Sequence, residues 1–219
     1  MPDLSIEQGF AGPVIGIDEA GRGPWAGPVT VAAAWLHPGA VAALPPGLDD
    51  SKKLSSRKRA DFHHILTSGP HLHALVSVPV GVIDRDGILR ATLDAMATAA
   101  ATLATMIREA GHGAVAQLLI DGNQMARGLT APAQTVVKGD SRSLSIAAAS
   151  VIAKHERDQV MTALAAAHPV YGWETNMGYG TAAHREAMAR FGVTPHHRRS
   201  FAPVREQLAW VGDTASTKG

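Results

Sequence analysis

The apolar positions of this chain fall into five short runs, one long stripe and several helix-like stretches. Residues 14–18 (VIGID) form an apolar run of strand length that ends in acids and a Gly-rich turn, Glu19 to Gly27. Residues 28–36 (PVTVAAAWL) are a second such run, and the Gly/Pro connection between the two reads as a hairpin. Residues 71–80 alternate as a third strand. Residues 115–121 (VAQLLID) are a fourth, again ending in an acid and a turn, Gly122-Asn123, and residues 133–137 are a fifth. Between them lie the helices. Ser55 has the character of an N-cap for a basic helix reaching about residue 66. Leu89, Leu93, Met96, Ala100, Leu103 and Ile107 recur at steps of three and four, the apolar stripe of a long helix that Gly111 stops. Residues 141–167 are Ala-rich and helical, and a further helix of about ten residues starts at Thr181.

That order predicts an α/β fold. The early sequential strands suit antiparallel pairing, and the later strand, separated by a long helix, suits a parallel crossover. The result is a mixed five-stranded sheet flanked by helices. A main domain over residues 1–168, a small helical C-terminal extension over 169–212 and a disordered tail over 213–219 are expected.

Composition narrows the chemistry. The 219 residues are 46% hydrophobic but only 5% aromatic, so the core must be aliphatic and Ala-rich. There is no cysteine, which removes disulfides, Cys-ligated zinc and a thiol nucleophile. The N-terminus lacks a signal-peptide pattern and no stretch reads as a membrane span, so a cytoplasmic protein with no membrane partner is expected. The net charge of +1 says nothing about partners, but its distribution does. Lys52, Lys53, Arg57, Lys58 and Arg59 form one basic cluster, and Arg185, Arg190, Arg198, Arg199 and Arg205 form another around His196 and His197. Local basic clusters in a nearly neutral chain suit a polyanion, with two solvated faces as the plainer alternative. The paired histidines, His63-His64 and His196-His197, lack the i, i+4 spacing of helix-borne ligands and read as surface or loop residues.

The acids sit where chemistry is expected. Asp18 and Glu19 end the first strand, Asp121 ends the fourth, and Asp140 follows the fifth. Strand-end acids converge at one edge of an α/β sheet. Clustered carboxylates stay charged only beside cations, and an all-oxygen donor set suits hard ions such as Mg²⁺ or Mn²⁺, able to serve phosphodiester hydrolysis. For any single acid, a turn or helix cap is the commoner role. Asp158 competes with Asp140, but a helix between them would separate the two by about 27 Å, and Asp140 lies nearer a strand end.

Several segments resemble the ribonuclease HII family: GIDEAGRGPWAGPV (16–29), DDSKKLS (49–55), IDGN (120–123), KGDSRSLSIAAASVIAK (138–154), MGYGTAAH (177–184) and TPHHRRSFAPV (194–204). The resemblance implies a ribonuclease H-like fold and a Mg²⁺- or Mn²⁺-dependent endonuclease. Such an enzyme cuts the RNA strand of RNA/DNA hybrids, and cuts 5′ of ribonucleotides embedded in duplex DNA, leaving 5′-phosphate and 3′-OH ends. Carried over by motif, Asp18, Glu19, Asp121 and Asp140 match the catalytic, metal-binding carboxylates. Gly21, Arg22 and Gly23 match the turn that senses the ribose 2′-OH, and Tyr179 matches the ring that packs on the next nucleotide. Lys52, Lys53, Arg198 and Arg199 are candidate phosphate contacts, which position a duplex without reading sequence. Hybrid and ribonucleotide-containing duplexes are therefore the expected partners, and a monomer is the expected state. Two rivals differ in class. Another metal-dependent nuclease would need no 2′-OH sensor, and a binding module without activity would not need four acids. A nucleotide-binding loop is excluded because GIDEAGRG lacks the Lys-Ser/Thr ending.

Overall fold

The computed structural model describes residues 1–216. Five strands are present: β1 (Val14–Ala20), β2 (Val29–Trp35), β3 (Leu72–Val78), β4 (Gln117–Asp121) and β5 (Ala133–Val136). They form one sheet of order β3-β2-β1-β4-β5. β1 pairs antiparallel with β2, and β1–β4 and β4–β5 are parallel, so the sheet is mixed as the connection lengths require. The helices are α1 (Pro38–Val41), α2 (Ser56–Ser68), α3 (Val80–Asp86), α4 (Ile88–Glu109), α5 (Leu144–Ala167), α6 (Trp173–Asn176), α7 (Ala182–Phe191) and α8 (Ala202–Ser216).

Local chemistry sets several boundaries. Ser55 caps α2, its side chain accepting from Lys58 N, and Thr181 caps α7 by accepting from His184 N. The seven-residue α3 lies where no helical period is visible, and no side chain caps it. α8 carries helix through residues 213–216, into the stretch expected to be disordered; the rest of that expected tail, 217–219, lies outside the described residues. Among the described residues, no helix is long and apolar enough to cross a membrane.

The chain divides into two compact units. The first comprises residues 1–20, 30–77 and 92–156; the second comprises 21–29, 78–91 and the described residues from 157 on. The second unit is thus assembled from three stretches separated in the sequence.

In the first unit, β1 and β2 bury nearly every side chain. Ala32 and Ala34 of the sheet share a core with Ala147, Ala148, Val151 and Ile152 of α5 and with Phe62 and Leu66 of α2. Small residues let α5 approach closely. The limit is Gly16, where an added Cβ would overlap the backbone of Ser145 and Ile146. The start of α5 is also held by Glu7, whose Oε1 accepts from Ser145 N at 2.9 Å and from Ser143 Oγ at 2.6 Å, an acid at the positive end of a helix. Gly16→Ala is therefore expected to cost at least the ~1–3 kcal/mol typical of overpacking, because backbone cannot yield as a side chain can. Urea unfolding checks this, and a midpoint equal to wild type would show that α5 can move.

In the second unit, Ala26, Met161, Tyr171, Trp173, Ala187, Met188 and Val204 form a separate core. Residues 25–27 are strapped to two loops there. Trp25 N donates to Gly178 O at 2.8 Å, Gly27 N to His196 O at 2.9 Å, and Arg198 N to Trp25 O at 2.7 Å.

Candidate active site

In the first unit, the ends of β1 and β4 and the turn after β5 bring acids together. Asp18, Asp121 and Asp140 each offer a carboxylate oxygen, and these oxygens lie within 4.8 Å of one another. Parallel pairing of Ile17 with Ile120 sets Asp18 beside Asp121. Asp140 arrives through a short 3₁₀ turn, Gly139–Ser141, entered by Lys138 in the left-handed region at φ 55°. Asp121 Oδ1 accepts from Gly139 N at 2.7 Å, which ties that turn to the end of β4. Asp158 is not in the group, as the length of α5 requires.

Glu19 follows Asp18 in β1, and successive strand residues face opposite ways. Asp18 is buried and Glu19 is half-buried; Glu19 is not one of the three clustered carboxylates. Its charge is still felt: burial first, then the charges of Glu19 and Asp121, push the Asp18 carboxyl well above the usual range, opposed by hydrogen bonds from Ser150 and from the Glu19 amide. Asp140 is raised by burial and by Asp121 and Asp50, with Lys52 opposing. Two neighbouring carboxyls that resist ionisation are relieved by a cation, and the all-oxygen donor set suits Mg²⁺ or Mn²⁺.

The two lysines lie in this unit near Asp140. Lys52 and Lys53 are both exposed. Lys53 Nζ donates to Asp49 Oδ1 at 3.0 Å and to Ser141 Oγ at 2.9 Å, beside the Asp140 turn. Arg59, grouped with them by sequence, is buried instead, donating to the carbonyls of Ser51 and Leu54 at 3.2 Å. It braces the loop that carries the lysines.

In the second unit, the Gly21-Arg22-Gly23 turn and Tyr179 come together. Arg22, Gly23 and Tyr179 are exposed. A Cβ on Gly23 would sit 3.5 Å from Tyr179 Cε1, so the ring lies against the turn. Gly21 has φ 96°, and its Cβ space is taken by the Arg157 guanidinium, so two constraints require glycine there. Arg199 is exposed, its amide donating to Asp84 Oδ2 at 3.0 Å.

Arg198, expected to touch phosphate, is used differently. It is fully buried, and its guanidinium donates to the carbonyls of Gly21, Arg22, Gly27 and Pro28 at 2.6–3.0 Å. Burial and the neighbouring Arg157 charge lower its pKa to about 9, which leaves it charged at neutral pH. His197, read as a surface or loop residue, is also fully buried. Thr194 N donates to His197 Nδ1 at 3.0 Å, which puts the His197 proton on Nε2. That proton reaches His184 Nε2 at 3.1 Å, where Trp173 Nε1 also donates at 3.1 Å. His184 must then carry its own proton on Nδ1, donating to Tyr179 O at 2.9 Å. Burial and the His184 ring push His197 down to about 3, so His197 stays neutral at ordinary pH. The chain holds the Tyr179 backbone from below. The sequence gives no sign of these roles, because burial of an Arg or a His leaves no periodic trace.

Solved structures of the same fold are ribonucleases H. The structure resembles ribonuclease H2 from Pyrococcus horikoshii, with TM-score 0.74 and 23% identity over 89% of this chain and 96% of that one. It also resembles Bst-RNase HIII in complex with Mn²⁺, with TM-score 0.75 and 22% identity over 94% of this chain and 72% of that one. Residues 15–204 match the family described as Ribonuclease HII. The ribonuclease HII of Rhodospirillum rubrum is 51% identical over 95% of this chain and 93% of its own length, and that of Paramagnetospirillum magneticum is 50% identical over 95% and 99%. The chain belongs to the ribonuclease HII family, and is an enzyme, a ribonuclease H.

Proposed function

We propose that this ribonuclease hydrolyses the RNA strand of RNA/DNA hybrids and cuts duplex DNA on the 5′ side of embedded ribonucleotides. The observation that carries the chemistry is the convergence of Asp18, Asp121 and Asp140. These three residues, with Glu19 next to Asp18 in the chain, would hold Mg²⁺ or Mn²⁺ as a pair of ions. When bound, such ions activate water and stabilise a leaving oxygen. In the balanced reaction, a water oxygen forms the new bond to phosphorus and the P–O3′ bond breaks. The 3′ oxygen leaves as a hydroxyl, and the ribonucleotide keeps its 5′-phosphate.

The chain's own groups supply selection and positioning. The Gly21-Arg22-Gly23 turn follows Glu19 closely in the chain and recognises the 2′-OH, the group that separates RNA from DNA. The Arg22 fork can hold a phosphate. Tyr179, 48% exposed against that turn, packs on the neighbouring nucleotide. Lys52, Lys53 and Arg199 contact backbone phosphates. The protein acts in the cytoplasm as a monomer.

The test is a duplex carrying one ribonucleotide, incubated with Mg²⁺ or Mn²⁺, with both product ends mapped. A single cut 5′ of the ribonucleotide with 5′-phosphate and 3′-OH ends is expected. A cyclic 2′,3′-phosphate would sink the mechanism, since that product requires the 2′-OH itself as nucleophile.

A further inference from the structure

We infer that Arg198 is a positioning residue that sets the polarity of the Gly21-Arg22-Gly23 turn, and through it the enzyme's response to ribose; this rests on the proposal that the turn senses the 2′-OH. The Arg198 Nη2 donates to Gly21 O at 2.6 Å and to Pro28 O at 3.0 Å, Nη1 to Arg22 O at 3.0 Å, and Nε to Gly27 O at 3.0 Å. The guanidinium thus gathers carbonyls from both sides of the turn. The described residues contain no cis peptide. In a trans peptide the C=O and the following N–H point opposite ways. Drawing the Gly21 and Arg22 carbonyls onto Arg198 therefore directs the Arg22 and Gly23 amides away from it, on residues that are both exposed.

Arg157 reinforces the arrangement. Its guanidinium donates to Pro28 O at 3.0 Å, Met177 O at 3.1 Å and Ala26 O at 3.2 Å, and it fills the Cβ space of Gly21. Two buried cations bonded to neutral carbonyls leave positive potential beneath a turn whose amides face outward. Such a surface favours an acceptor: the 2′ oxygen of a ribose and the phosphate next to it. No lysine reproduces this, because an ammonium is a point donor and cannot hold the four carbonyls in a planar fork.

Arg198→Lys keeps the charge and tests the geometry. Expected is a fall in kcat on a single-ribonucleotide duplex of roughly a hundredfold, comparable to losing one preorganised donor, with KM little changed. Binding of Mn²⁺ alone, read by calorimetry, should match wild type, which separates loss of turn polarity from general damage. Unchanged kcat, or an equal loss in kcat and Mn²⁺ binding, overturns the inference. If the variant does not fold, the wild-type protein decides. Without metal, a single-ribonucleotide duplex should shift the Arg22 and Gly23 amide resonances relative to the same duplex made wholly of DNA. Equal shifts would overturn the role assigned to Arg198. Wild-type cleavage of the all-DNA duplex would instead remove the 2′-OH reading of the turn, and this inference with it.

Discussion

Asp18→Asn is expected to abolish cleavage while making the protein more stable in the absence of divalent ions. Asp18 is 5% exposed, and its carboxyl is pushed up by burial, by Glu19 and by Asp121. Loss of an outer partner in a metal site typically costs roughly 10–100-fold, and loss of a buried member of the donor set should exceed that. Shape is preserved, since the Oδ1 that accepts from Glu19 N at 2.7 Å remains in asparagine. The stability effect has a definite sign. A carboxyl raised in the folded state binds more protons there than in the unfolded chain. Its contribution is therefore fully favourable below the ordinary value of 3.8 and is lost as pH rises toward the raised folded value. At neutral pH the metal-free wild type carries that cost and the Asn variant does not. Thermal unfolding with and without Mn²⁺ should show a higher Tm for the variant without metal, and stabilisation by Mn²⁺ only in wild type. Asp121→Asn should also lose activity, whereas Asp158→Asn, outside the carboxylate group, should retain it. Full activity in a folded Asp121→Asn protein would take that residue out of the site.

How far the sequence reaches is visible in these same residues. The strands were legible because each is a short apolar run closed by a turn, and Asp18, Asp121 and Asp140, which the structure brings together, stand at or shortly after the ends of such runs. Parallel pairing of β1 with β4 then makes the convergence of Asp18 and Asp121 a consequence of topology. Ser55 announced its helix by the chemistry of the cap. The α3 helix was hidden because seven residues cover too few turns to show a period. The two units were hidden for another reason. Two of their boundaries fall inside helices, in α4 between residues 91 and 92 and in α5 between 156 and 157, where no change of composition marks them. Arg59, Arg198 and His197 misled most. In a sequence they add to basic clusters, yet they are buried and brace loops through carbonyls or ring nitrogens. Charge can be counted from letters; what a charge is bonded to cannot.

Replacing the single 2′-OH of an embedded ribonucleotide by 2′-H should abolish cutting, with duplex binding nearly unchanged. Most of the affinity for a duplex comes from phosphates, which the replacement leaves intact. The turn is different. Its Gly21 and Arg22 carbonyls are held by Arg198, and a side chain at Gly21 would meet Arg157. A rigid polar turn of this kind cannot relax to cover a missing hydroxyl, and sites built to bond a hydroxyl reject its absence by up to about 10⁴–10⁵-fold. Tyr179 should contribute through its ring face, because the ring lies against Gly23 and its loop is fixed from behind by His184 at 2.9 Å. Tyr179→Phe should therefore keep most activity and Tyr179→Ala lose more, by about the 1–3 kcal/mol of one stacking contact. Single-turnover cleavage of the two duplexes, beside a binding titration of each without metal, reads both parts. Cleavage of the 2′-H duplex within tenfold of the ribonucleotide duplex, about 1.4 kcal/mol, would mean that the turn does not read the sugar. Equal activity of Tyr179→Phe and Tyr179→Ala would mean that the ring does not carry the next nucleotide.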